Sequence, residues 1–205
     1  MSELLQAYDR DGKLVKVQER KSLLKEIEDY SRIHGDANLA VPAIYLILTN
    51  SQGKLYVVQR GDKPENPNRY DKTVGGHVTK GETHVSTLYR ETKEEIGSEV
   101  ILTDLINFHD AIKQNDTKKY AIIRTIDFNP WMKSIRAVKN DTPWVKRHRV
   151  MIFAGIYDGD LNFVDGEATG FQLLPKHKLI QKMREDPSKF TDDLDSLLRN
   201  YSIFF

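Results

Sequence analysis

The stretch GHVTKGETHVSTLYRETKEEIG, Gly76 to Gly97, decides how this chain is read. Wound as a helix from His84, it puts Val85, Leu88, Tyr89, Thr92 and Ile96 on one face at i, i+3, i+4, i+7 spacing, and that face is expected in the core. Gly97 supplies the left-handed stop. Glu91, Glu94 and Glu95 occupy a different face. Glu91 lies one turn from both others, where like charges about 5–6 Å apart cost a few tenths of a kcal/mol per pair. Arg90, four residues before Glu94, offsets part of that repulsion. A divalent cation offsets more, because clustered carboxylates are the hard oxygen donors that Mg²⁺ or Mn²⁺ takes. Glu82 is read as a fourth ligand or as a partner holding Arg90. Gly75 and Gly76 let the backbone bend and a phosphate or metal-bound water come close.

Working outward, the flanks read as strands. AIYLILT (43–49), a turn at Asn50-Ser51-Gln52-Gly53 and KLYVVQR (54–60) form a predicted hairpin ending in Arg60. The loop GDKPENPNRYD and the short strand KTVGGHV lead to the helix. Further strands are expected at 99–108, 119–127, 149–157 and 169–174, with LNFV as a strand after the turn Asp158-Gly159-Asp160. Upstream, Asp11-Gly12 marks a hairpin between Leu4–Tyr8 and Lys13–Val17, and residues 20–33 read as a helix stopped by Gly35. The tail from Pro175 reads as two helices. Mixed strands with few long helices predict an α+β fold, a curved sheet with helices packed on it.

Composition narrows the function. The 205 residues are 39% apolar, 9% aromatic and 30% charged, which suits one enlarged domain with its own core. Lys+Arg 31 against Asp+Glu 30 leaves +1, so no global field draws nucleic acid or membrane. With Cys 0, disulfides, thiolate zinc sites, iron–sulfur clusters and cysteine nucleophiles are excluded. No apolar run reads as a signal peptide or membrane span, and the expectation is a soluble cytoplasmic protein.

The spacing sets the acidic helix apart from an ordinary solvated face. Gly76, five residues, Glu82, seven residues, Arg90-Glu91, two residues, Glu94-Glu95, one residue, Gly97 is a pattern expected by chance about once in a million chains of this size. It is the Nudix box, and the chain resembles the Nudix superfamily. The resemblance implies an α/β/α sandwich over residues 1–205, with an extension at 1–38, a core at 39–180 holding the box (76–98), and a helical tail at 181–205. It also implies a pyrophosphohydrolase using Mg²⁺ or Mn²⁺. The metal ligands would be Glu91, Glu94, Glu95 and Glu82 with Gly76, and Arg90 and Gly97 would shape the motif. Two aliphatic positions of the motif are polar here, Thr92 and Ser98.

A narrower resemblance, on YDRDGKLV, Arg20, NSQGKLYVVQR, TVGGHVTKGE and YDGDLNF, is to the isopentenyl-diphosphate-isomerase-like branch. Isomerase members carry a cysteine where Gly75 stands, and histidines upstream of the first core strand, where this chain has His34 alone. His77 matches one ligand of their metal site. Hydrolysis is therefore the branch chemistry expected here.

In that chemistry water attacks a phosphorus of a small-molecule diphosphate. Glu94 and Glu91 are the principal candidates for metal ligands, with Glu95 in support; the general base is one of these or a loop residue, Glu167 being the best candidate outside the box and otherwise an ordinary loop carboxylate. Arg60 and Arg69 are candidates to hold a terminal phosphate, with Gly75 and His77 beside them. Tyr70 either lines the pocket or packs. Between Trp131 and Arg149, Lys133, Arg136, Lys139, Lys146, Arg147 and Arg149 face one acid, Asp141, with Trp144 interleaved. This segment is expected to be a solvated insertion. Its functional readings are nucleotide capture and, less favoured, nucleic-acid binding. His84, His109, His148 and His177 receive no role. The rival to the enzyme is a catalytically inactive Nudix module that binds a nucleotide or an RNA end. The resemblance is also compatible with a homodimer.

Overall fold

In the computed structural model the residues described are 3–163 and 166–205. Everything is organised around one strand, β3 (Ala40–Thr49), buried along its whole length. A strand covered on both faces reads as an unbroken apolar run rather than an alternating one. Its residues divide between two cores. Ala43, Tyr45 and Ile47 pack with α4 (Lys176–Glu185) and α5 (Asp192–Tyr201) through Leu179, Leu194 and Leu197. Ile44, Leu46 and Leu48 pack with Leu88 and Ile96 of α2 (His84–Ile96). The result is a sheet between helical layers.

Among the described residues the sheet has ten strands. Its main path runs from β10 (Ala168–Pro175) through β4 (Lys54–Arg60), β3, β9 (Asp141–Ile156) and β8 (Tyr120–Val138) to β7 (Glu99–Thr103). The pairs β3·β9 and β7·β8 are parallel. β6 (Val74–His77) lies antiparallel on β3, Gly76 opposite Ile44, and so carries the two glycines to the head of α2. β5 (Tyr70–Asp71) pairs with β4. The N-terminal hairpin, β1 (Leu4–Tyr8) and β2 (Leu14–Glu19), joins β3 through Tyr8 opposite Ala40. Its helix α1 (Arg20–His34) closes a third core of Leu5, Leu23, Ile27, Val41 and Trp144.

Several boundaries differ from expectation. The strand predicted at 99–108 stops at Thr103, and an unanticipated helix α3 (Phe108–Gln114) follows. The strands predicted at 119–127 and 149–157 extend towards each other as a long antiparallel arm, so residues 131–149 are sheet apart from the turn at 139–140, and not a solvated insertion. Residues 161–163 form no strand, and Val164 of the expected LNFV strand lies outside the described residues. The inward face of α2 is Thr87, Leu88, Thr92 and Ile96, while Val85 and Tyr89 are 40% and 43% exposed. The helix is rotated from the expected stripe because its first turn meets solvent. There the capping box between Thr83 and Ser86, not packing, satisfies the free backbone amides.

Candidate active site

Beside β6 and α2 lies a cavity of roughly 720 Å³, lined also from β3, β8, β9 and α5. Gly76 matters there because it has no side chain. A β-carbon at that position would overlap the Glu91 carboxylate, so the strand and the helix approach only where glycine stands. Glu91 is thereby folded inward, its side chain 14% exposed, whereas that of Glu94 is 52% exposed. Burial pushes the Glu91 carboxyl up to about 7, with Arg90 opposing the shift. Arg90 Nη1 touches both acids, at 2.9 Å from Glu91 and 3.1 Å from Glu94. Glu95 lines the same cavity.

Glu82 sits against Arg90, the partner named in its second sequence reading. Arg90 donates to it from Nε at 2.7 Å and from Nη2 at 2.9 Å, and the Thr87 hydroxyl and Thr79 amide donate as well. The Arg90 hydrogen bonds hold the Glu82 carboxyl down at about 2. Arg90 Nη2 also reaches the His77 carbonyl at 3.4 Å. Glu82 and Arg90 thus brace the loop against the helix. Gly97 ends the helix at φ 71°.

The other sequence candidates separate. Arg60 lines the cavity and is tied to Asp71 at 3.3 Å and to the Glu65 carbonyl at 3.2 Å. Glu167 lines it too, ion-paired with Lys63. His77 lies on the wall, its ring 5.7 Å from that of His148. Gly75 is filled from its own strand turn: a β-carbon there would collide with the Lys72 side chain. Arg69 is elsewhere. It donates to the Phe190 carbonyl and borders a shallow crevice with Lys139 and Lys189. Tyr70 packs on Phe190 and accepts a hydrogen bond from Gln172.

The structure also brings to the cavity Lys72 and His148, given no role from sequence, and two cations of the basic segment 131–149. Lys72 is buried between Asp71 and Asp193 and lies 4.0 Å over the Tyr45 ring. Arg136 stands near Asp193, and Lys146 near Glu65. His148, given no role from sequence, is on the cavity wall with Nδ1 2.7 Å from the Tyr45 hydroxyl. Burial holds His77 and His148 well below the usual imidazole range, so both are neutral. Burial opposes ionisation of Asp193, but Arg136 and Lys72 hold it well below the usual carboxylate range. The one available signal was alternation: Ser134 and Arg136, then Lys146 and His148, sit two residues apart as strand neighbours on one face.

Among the described residues no three His, Asp or Glu side chains converge as a ready-made metal site. The donors nevertheless fit a hard divalent ion. They are carboxylate oxygens on one helix, with Glu91 held into the cavity by the space that Gly76 leaves. Arg90 now supplies the positive charge these acids face.

Comparison with known proteins agrees with this geometry. A family model described as the NUDIX domain matches residues 39–194, and the chain belongs to the Nudix family. A curated "Nudix hydrolase" of Deinococcus radiodurans is 39% identical over 61 residues, 29% of this chain. That match spans 36% of the relative's own length. The crystal structure of DR0079 from Deinococcus radiodurans superposes with a TM-score of 0.65 at 20% identity. It covers 96% of this chain and 98% of the other, and shares the fold.

Proposed function

We propose that this protein is a divalent-metal-dependent hydrolase of organic diphosphates. The observation that carries the reading is the row Glu91, Glu94 and Glu95 facing one cavity beside Gly76. Glu91, Glu94 and Glu95 would hold Mg²⁺ or Mn²⁺, with the Gly76 backbone alongside. The ion supplies charge neutralisation on phosphate oxygens and lowers the pKa of a bound water. Arg60, which lines the cavity and is oriented by Asp71 and the Glu65 carbonyl, would hold a phosphate oxygen. Glu167, in the same cavity, is the candidate base from outside the box.

Within the isopentenyl-diphosphate-isomerase-like branch that the sequence resembles, Gly75 speaks for hydrolysis. The cysteine of isomerase members would have to enter space that the Lys72 side chain fills. The test is a phosphate-release screen with Mg²⁺ and Mn²⁺ over nucleoside triphosphates, nucleotide sugars, dinucleoside polyphosphates, CoA and prenyl diphosphates. Metal-dependent release from at least one supports the reading. Silence across the panel, with tight metal-independent ligand binding, would instead favour a binding module.

A further inference from the structure

The basic stretch between Trp131 and Arg149 is unused by the hydrolysis proposed above, and the structure divides it in two. On the β8·β9 arm Met132 lies opposite His148, Ser134 opposite Lys146, and Arg136 opposite Trp144. Alternation puts these six on one face, and all six are buried, while Lys133 and Lys139 are exposed. An inward strand face is ordinarily apolar, since each buried ion costs several kcal/mol in lost solvation. Here it carries Arg136 and Lys146, 7% and 2% exposed, and both line the cavity that receives the box carboxylates. Lys72 joins them on the wall, its side chain occupying the room that Gly75 leaves.

Their compensation is incomplete. Arg60, Lys72, Arg136 and Lys146 share three acids, Glu65, Asp71 and Asp193. The buried Nε atom of Arg60 has no hydrogen-bond partner among the described residues, and that of Arg136 has only a long 3.5 Å ion pair to Glu65. Four cations against three acids along one cavity wall favour a ligand rich in acceptor oxygens. Burial also draws the Lys146 ammonium down to about 8, with Glu65 offsetting only part of the effect.

We infer that Arg136, Lys146 and Lys72, with His148 beside them, form a second anion subsite that takes a phosphomonoester group of the substrate. The inference rests on the cavity being the diphosphate-hydrolysing site, and it describes a substrate that carries a terminal phosphate beyond the bond that breaks. Phosphate oxygens are repelled by Glu91, Glu94 and Glu95 when no cation is bound, so in chelator a phosphate goes to the basic wall and not to the box.

The test is calorimetric titration of inorganic phosphate into the full chain in EDTA. Saturable binding is expected, weakened about tenfold or more in K146M and R136M, as loss of a charged donor predicts. K133M, on the outward face, should bind like wild type. G75A should weaken binding without removing a charge, because it drives Lys72 from its place. Absence of saturable binding to wild type, or binding that survives both K146M and R136M, overturns the subsite. Should those variants fail to fold, NMR of wild-type lysine side chains decides: phosphate must shift the Lys146 resonances and raise its titration midpoint, and no change overturns the proposal. Turnover is read separately. Lys146-dependent phosphate binding with no hydrolysis of any diphosphate keeps the subsite and removes the hydrolase reading, and hydrolysis without phosphate binding does the reverse.

Discussion

Glu94 and Glu91 differ in what surrounds them, and that difference predicts two phenotypes. Glu94 is half exposed and tied mainly to Arg90, so Glu94→Gln should leave the thermal melt near wild type. Turnover with Mn²⁺ should fall by roughly 100-fold or more, the scale of losing a group that acts at the reacting centre. Steady-state rates and a melting curve on the same sample check both halves. Gly76 is the opposite case. A methyl group there has nowhere to go but into the Glu91 carboxylate, so Gly76→Ala should cost about 1–3 kcal/mol of stability and also abolish activity. Chemical denaturation beside the same rate assay tests it.

At the level of the element, α2 is held to the sheet by two independent devices. One is apolar: Leu88 is fully buried among Ile44, Leu46 and Val74. Leu88→Ala should destabilise by about 2–5 kcal/mol, whereas Val85→Thr and Tyr89→Ser, on the exposed face, should change the urea midpoint little. The other device is the Glu82–Arg90 brace. Because the folded-state carboxyl of Glu82 sits at about 2, below its ordinary 4.5, its stabilisation is full above pH 4.5 and is lost as pH falls towards 2. After discounting for partial solvation the contribution is about 1–2 kcal/mol. Unfolding free energies of wild type and Glu82→Gln, measured from pH 6 to pH 3, should converge as the pH drops. A constant gap would mean that the brace acts through shape and not through charge.

For the molecule as a whole, the cavity is where sheet, box helix and C-terminal helix meet, and ligand binding should stabilise all three together. A cation held by Glu91, Glu94 and Glu95 binds the folded state alone, so Mn²⁺ at a hundredfold excess over its Kd should add about 2.7 kcal/mol. Differential scanning calorimetry of wild type should show this rise. Glu94→Gln should show much less, and an equal rise in both would move the ion away from the box. The same assembly places Asp193, from α5 near the C-terminus, against Lys72 and Arg136, both more than fifty residues earlier in sequence. No other level of organisation makes that contact.

Much of this was legible in the residues. The box helix, its glycine stop, the first hairpin and the apolar β3 strand follow from local spacing, because a period of 3.6 or an unbroken apolar run is fixed by chain geometry and hydration alone. The acidic row was visible for the same reason. Hidden from the sequence were the rotation of α2, the reach of β8 and β9, and the inward turn of Arg136, Lys146 and His148. A run of lysines and arginines looks solvated until a partner strand shows which face is covered. Only the folded sheet, by setting that register and bringing Glu65 and Asp193 within reach, decided that these cations lie inside.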